Sequence, residues 1–397
     1  MEYVNENIKT EVKYNCDVFV AGGGVAGIAA SLAAARQGAD VLLCEHEYAL
    51  GGLATLGIVT YYLPICDGCG NQMSFGIAEE LLMLSRQYDV QEDIPDAWLN
   101  GGTKEEKAVS RFQSRFNPHM FEILAECLLI DAGVKILYGT TVCGVKKDGE
   151  KITHIIIENK SGRSAVAVSS VVDATGDADV CKQSGAKTAL TETKNPLAAW
   201  YYAADENGVE LKMLGFADTP EGEAAGVEKL SDKKYTGIDA EENSEFITFA
   251  RRSIFNDVMK IKKQREKYEL VTVPGIPQLR MTRRIEGVKV LGFDDREKHF
   301  EDSIGAFGSW RQRNVRGEVP FSCLYGKEVK NLITAGRCIS ASGPMWDLTR
   351  VIPVCAVTGE AAGTAASMSS DFAALSVEKL QEKLKKSGVK LHICDCL

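Results

Sequence analysis

At 397 residues the chain is longer than a single core usually grows, which predicts two domains or one domain with large insertions. Hydrophobic and charged contents of 45% and 25% are ordinary for a globular protein. A net charge of −9 argues against a nucleic-acid partner; no run is long and apolar enough to span a bilayer, and the N-terminus has no apolar signal core, so a cytoplasmic protein is expected.

The twelve cysteines are scattered through predicted strands and helices, as Cys16, Cys44, Cys127, Cys143 and Cys355 show, and buried free thiols are expected. Cys66–Cys69 and Cys394–Cys396 are the only close pairs. One CxxC without a second does not make a cluster site, so no metal is expected.

Cys16–Ala21 reads as a strand buried on both faces. Gly22, Gly24 and Gly27 then spell GxGxxG, the Ala-rich run Gly27–Gly38 predicts a helix, and Asp40–Cys44 predicts a second strand ending at Glu45. Each residue type has a reason. Gly22 permits a sharp turn, Gly24 lets a pyrophosphate approach the backbone, and Gly27 lets the helix pack on the strand. The helix N-terminus, with Val25 and Ala26 in it, supplies free N–H groups and a partial positive charge. Glu45 is placed to accept from ribose hydroxyls and disfavours a 2′-phosphate. His46 adjoins it in the same turn, at a position that reads as surface. The whole unit predicts dinucleotide binding; a glycine turn in an empty α/β domain is the plainer alternative.

Directly after the acid the chain reads GGLATLG, at residues 51–57. With that segment it resembles the FAD-dependent oxidoreductases related to the fumarate reductase and succinate dehydrogenase flavoproteins, within them the branch that includes proteins like the heterodisulfide reductase flavoprotein. The resemblance implies that Gly51, Gly52 and Thr55 run beside the phosphates and ribityl chain. CDGCGNQMSFGIAEELL (66–82) is similar to the family's next loop and helix, and residues 117–145 to its second helix–strand unit. Asn117 caps that predicted helix, with Pro118 at its first position and Gly133 at its end. Val142 is implied to meet adenine.

Thr140–Lys147, Ile152–Glu158 and Ser164–Val168 alternate around two turn signals and predict a three-stranded antiparallel meander. Val171–Ala174 predicts a return to the parallel sheet, and the resemblance implies that Ala174, Thr175 and Gly176 pass close to the FAD. The closing stretch, residues 331–367, resembles the family's flavin signature. Leu332–Ala335 leads through Gly336 and Arg337 towards the isoalloxazine. Pro353 opens a small-residue helix, with Gly359, Ala361 and Gly363, whose N-terminus would aim at the flavin pyrimidine edge. No second GxGxxG follows residue 60, and no histidine stands in the family's attachment context, so non-covalent FAD is expected.

The fold class expected is α/β: a Rossmann-like FAD-binding domain, its parallel sheet interrupted by the meander, from residues 1–88, 117–186 and 326–397. Residues 89–116 and 187–325 are expected to form an inserted α+β substrate cap, with a charged helix around Glu242–Lys267. VPGIPQLRMTRRIEGVKVLGFDD (273–295) resembles the family's cap motif. On a strand, Arg280 and Arg284 would share one face and Arg283 the other. Arg280, Arg284 and Arg350 suit a carboxylate, enolate or polyhydroxylated ligand, with inter-domain ion pairs as the alternative. His119, in a helix first turn, reads as a surface or capping residue, and His299 as the better general base. Where the family often carries a histidine after its DSI segment, this chain reads GSWRQRNVRG, which leaves Trp310, Arg311 and Arg313 as specificity candidates only. The C-terminal LSVEKLQEKLKKSGVKLHICDCL predicts an amphipathic helix, with Val377, Leu380 and Leu384 on one face, and then a short strand.

These elements predict an FAD-dependent oxidoreductase moving a hydride between flavin N5 and a polar small molecule that bears a hydroxyl or carboxylate. The alternative is a heterodisulfide reductase-like electron-transfer protein working with a redox partner protein, which would need clusters and hence cysteine quartets. A flavin-binding regulatory protein is a third possibility.

Overall fold

The first strand, β1 (Val12–Ala21), is followed by α1 (Val25–Arg36) and β2 (Val41–Cys44) in a computed structural model that describes residues 2–87, 94–215 and 228–397. The domain boundary read at residues 88 and 89 lies outside the described residues. Ahead come α2 (Ile77–Arg86), α3 (Pro118–Asp131) and β3 (Lys135–Leu137). The Asn117 side chain caps α3 by accepting from the His119 and Met120 amides at 3.0 and 3.2 Å, and Gly133 ends it in the left-handed region.

Then β4 (Thr141–Asp148), β5 (Lys151–Asn159) and β6 (Gly162–Asp173) complete the sheet, in the order β3-β2-β1-β6-β5-β4. β3, β2, β1 and β6 are parallel, while β6-β5-β4 is the antiparallel meander. The sequence reading breaks β6 in two, at Val168 and Val171. The strand runs unbroken because β1 pairs with it from Ala165 to Asp173. Its far end also takes the closing strand, at Val171–Asp173.

After α4 (Asp179–Ser184) and β7 (Thr188–Leu190), the chain enters the cap: β8 (Ala199–Asp205), β9 (Gly208–Leu214), α5 (Ala240–Lys262) and β10 (Glu269–Thr272). A β9-β8-β10 sheet backs α5, which buries Phe246, Ala250, Ile254 and Val258 at four-residue spacing. These residues join Leu197, Tyr201, Tyr235, Tyr268 and Leu279 in a core of their own. β11 (Arg283–Ile285) pairs with β7 and closes the cap.

β12 (Ser303–Gly308) and β13 (Arg316–Pro320) form a hairpin. The sequence reading groups them, and residues 94–116, with the cap. Their side chains instead belong to the sheet-domain core: Ile94, Phe112, Phe116, Ile304, Phe307 and Val319 are buried in one cluster with α1. The separate cap core spans only residues 197–279.

β14 (Leu332–Thr334) joins β6, followed by α6 (Gly343–Thr349), α7 (Ile352–Met368) and α8 (Val377–Lys386). α7 lies on α1 at backbone contact, because a Cβ at Gly359 or Gly363 would overlap the Ala26 or Ala30 carbonyl oxygen. α8 buries Leu380 and Leu384, with Val377 half-buried. The short strand expected after it does not form. Gly388 turns the chain back, Val389 and Leu391 bury their side chains without a ladder partner, and Ile393–Cys396 makes one helical turn. No single helix among the described residues is long and apolar enough to cross a membrane.

Candidate functional site

Gly22 takes a φ of +95°, and a Cβ on it would lie 2.7 Å from the Ala174 carbonyl oxygen. Its N–H donates to the Cys44 carbonyl at 2.8 Å, which locks the turn between β1 and β2. Gly27 is a packing glycine whose Cβ would overlap the Gly22 carbonyl oxygen. Gly24 differs: it is the N-cap of α1 in extended backbone, and a Cβ on it would meet nothing within 4 Å. That bare backbone faces a cavity of about 500 Å³, with Val25 and Ala26 beside it.

The second glycine pair is stitched to the first. Gly24 and Gly51 form a parallel bridge, the Gly51 amide donates to Gly23 at 2.8 Å, and a Cβ on Gly52 would sit 3.3 Å from the Gly24 Cα. Thr55 is buried and donates to the Leu50 carbonyl at 2.5 Å, so it braces this loop from behind and does not line the cavity.

Glu45 sits on the floor between the loops. Its two oxygens accept the Gly23 amide at 2.5 Å and the Glu47 amide at 2.8 Å. Burial pushes its carboxyl up from the usual range, and the two amides oppose that. His46 is exposed on the rim, paired with Glu47 at 3.1 Å. Thr140, Thr141 and Val142 form the adjoining wall, where Gln183 donates to the Val142 carbonyl at 3.1 Å.

At the other end, Ala174, Thr175 and Gly176 face Gly336 and Arg337. Asp173, fully buried, accepts from the Thr175 hydroxyl at 2.7 Å and the Cys181 amide at 2.8 Å and so shapes this loop. Arg337 donates to the Leu279 and Arg280 carbonyls at 3.0 and 3.3 Å and pairs with Asp177 at 3.3 Å. Pro353 and Gly359 are buried in α7 and do not line the cavity, although Ile352 and Cys355 do.

Sequence reasoning missed several lining residues: Asp177, Asp179, Leu53, Leu56 and a roof from the cap made of Asn243, Ile276, Pro277 and Leu279. The ATGDAD segment carried a signal for the two acids. Burial, then the neighbouring Asp177 and Asp173, push the Asp179 carboxyl up to about 6, against the pull of Arg283. Arg283 pairs with Asp179 and donates through Nε to the Asp177 carbonyl at 2.8 Å, an inter-domain clamp.

Arg280 and Arg284 line a second cavity of about 530 Å³, walled also by Lys194, Asn195, Arg311, Trp346 and Asp347. Only Arg283–Ile285 is strand, yet the alternation of side holds across all three arginines. Arg280 is buried 5.1 Å from the centre of the Trp200 ring; Arg284 lies 5.8 Å from that of Trp346, and burial lowers its pKa. Asp347 takes Arg311 on one oxygen and Arg350 on the other, each at 2.6 Å. Arg350 itself lines the first cavity, so this triad spans the partition between the two. Trp310 stacks on Arg311 at 4.1 Å, while Arg313 donates to the Ala108 carbonyl away from both cavities.

His299 lies in neither cavity. It meets Glu318 and His392 beside the β12–β13 hairpin and so lines no space in which it could act as the general base. His119 is exposed in the first turn of α3. Cys66 is fully buried, accepts the Phe112 amide at 3.2 Å, and has its thiol pKa raised by burial, the opposite of what a nucleophilic thiolate requires.

A family model described as FAD dependent oxidoreductase matches residues 17–198 and 194–384. No curated protein matches the sequence. Among solved structures, the chain is similar to p-nitrophenol 4-monooxygenase PnpA from Pseudomonas putida DLL-E4, at 14% identity and a TM-score of 0.52, over 94% of this chain and 84% of that one. It is also similar to a geranylgeranyl bacteriochlorophyll reductase-like protein from Thermoplasma acidophilum, at 14% identity and a TM-score of 0.43, over 94% and 82%. At such identity the likeness to the monooxygenase speaks to fold alone.

Proposed function

The chain belongs to the FAD-dependent oxidoreductase family, with FAD as its cofactor, and on that premise we propose that it oxidises or reduces a small anionic molecule bound in the Arg280–Arg284 cavity. The residues of the first cavity fit FAD. Gly24 offers backbone with open space where a side chain would block a pyrophosphate, and Glu45 offers a carboxylate at the ribose end. When bound, the flavin supplies a hydride acceptor or donor at N5.

The chain's own groups divide the remaining work. Arg280 and Arg284, with Lys194, present guanidinium and ammonium donors to a carboxylate or enolate, and Trp346 gives it an apolar face. Arg311 and Arg350, tied through Asp347, fix the partition between the cavities. The cap residues Ile276, Pro277 and Leu279 cover the first cavity and keep water from the reacting centre.

The observation that carries this reading is the cationic second cavity sharing the Leu279–Arg280 backbone and the Asp347 triad with the first. A heterodisulfide reductase-like protein would gather cysteines around a cluster. Among the described residues the one grouping of three possible metal ligands contains no thiol, which favours the small-molecule reading. The test is an anaerobic screen of hydroxy acids, unsaturated acids and sugars for substrate-dependent bleaching of the bound flavin. Anionic compounds are expected to react; failure of every class with intact holoprotein overturns the proposal.

A further inference from the structure

Three segments far apart in sequence meet outside both cavities: the loop before β12 brings His299, β13 brings Glu318, and the C-terminal turn brings His392. Glu318 is 2% exposed. It is also held in place, because Oε1 accepts the Ile393 amide at 2.8 Å and Oε2 accepts the Phe300 amide at 2.9 Å. Both imidazoles turn Nδ1 toward that same Oε2, His392 at 3.1 Å and His299 at 3.7 Å, with the ring centroids 4.4 Å apart.

We propose that His299, Glu318 and His392 bind one zinc-class divalent cation. Bond lengths of about 2.0–2.1 Å to imidazole nitrogen and carboxylate oxygen, in tetrahedral geometry, put ligand atoms about 3.3–3.4 Å apart. The observed separations bracket that figure, and all three ligand atoms lie within 4.8 Å of one another. Two imidazoles and one carboxylate suit zinc and its transition-metal neighbours, whereas magnesium and calcium prefer all-oxygen shells. The surroundings carry the support such ligands usually have. Glu318 is oriented by two backbone amides, and Glu301 lies 3.5 Å from His299 Nε2, in position to take the N–H of a ring that binds metal through Nδ1. The His299 side chain is 53% exposed, which leaves the fourth position open to water. Filled, the site pins the C-terminal turn to β13. It touches neither cavity, so its work is anchoring and not the redox step.

The test uses full-length holoprotein stripped with chelator and titrated with zinc chloride alone by calorimetry, alongside thermal unfolding. One zinc per chain and a higher Tm with zinc are expected. The double variant His299→Gln, His392→Gln is expected to lose saturable binding and the zinc-dependent Tm rise, while keeping its flavin absorbance; any fall in its zinc-free Tm reports the lost His392–Glu318 hydrogen bond alone. The milder Glu301→Gln is expected to weaken binding by about tenfold. No saturable binding by the parent protein, or binding that survives the double variant, overturns the site. Neither outcome bears on flavin chemistry, so it stands or falls apart from the function above.

Discussion

Glu45 and Gly23, 22 residues apart in sequence, are joined by a hydrogen bond of 2.5 Å, so the acid that ends β2 and the first glycine loop act as one piece. Replacing Glu45 with alanine removes the acceptor of two amides as well as the carboxylate at the ribose end. FAD affinity should fall about 10- to 100-fold, the worth of one hydrogen bond to a charged group at about 1.5–3 kcal/mol. Titration of the apoprotein with FAD, followed by flavin fluorescence, checks this. An affinity within twofold of wild type removes Glu45 from cofactor binding.

The glycines separate fold from ligand. Gly24 has open space and an extended backbone that alanine adopts freely, so Gly24→Ala should leave the Tm of the apoprotein within about a degree and abolish tight FAD binding. Gly27→Ala drives a methyl into the Gly22 carbonyl and should lower stability by about 2 kcal/mol or more, with FAD binding lost too. Calorimetric melts of both apoproteins decide it, and equal melting losses would contradict the assignment of roles.

Glu360 offers a pH test remote from both cavities. It is buried in α7, accepts the Ile77 amide at the start of α2 at 2.8 Å, and burial pushes its carboxyl up to about 8 despite that amide. The unfolded group titrates near 4.5, so the folded state binds this proton more tightly. Its contribution to stability is full below pH 4.5, declines as pH rises towards 8, and is gone above. The difference amounts to a few kcal/mol at most. Glu360→Gln keeps an acceptor for Ile77 and has no proton to lose. Its Tm should match wild type at pH 5 and exceed it by several degrees at pH 9, and a constant offset at both would refute the shift.

Truncating Arg284 to alanine should raise KM for an anionic substrate about 10- to 100-fold with a smaller change in kcat, and leave a neutral analogue nearly untouched. Arg283→Ala makes a useful contrast. It breaks the Asp179 clamp, so it should lower Tm and loosen FAD while sparing that charge discrimination. Steady-state kinetics on matched charged and neutral substrates distinguish the two.

The sheet domain was legible in the sequence because its signals are local. Gly22, Gly24, Gly27 and Glu45 lie within one βαβ unit whose spacing is fixed by strand and helix geometry. Asn243, Ile276 and Pro277 reach the cavity only because the cap folds over it, and nothing in their own neighbourhoods marks that. The arginines were half legible. Alternation put Arg280 and Arg284 on one side, but the Asp177 and Asp179 that capture Arg283 sit some hundred residues earlier. The β12–β13 hairpin buries Ile304, Phe307 and Val319 in the cluster with α1, a packing that nothing in its own stretch of sequence marks.

Asp177 meets both halves of the molecule. Its side chain accepts from Thr282 and pairs with Arg337, and its carbonyl takes Arg283. It follows directly on the Ala174–Gly176 loop that borders the cofactor cavity. A displacement of the cap therefore cannot leave that loop's energy unchanged. By thermodynamic reciprocity, a ligand whose binding shifts the cap changes the grip on the dinucleotide by the same factor that the dinucleotide lends to it.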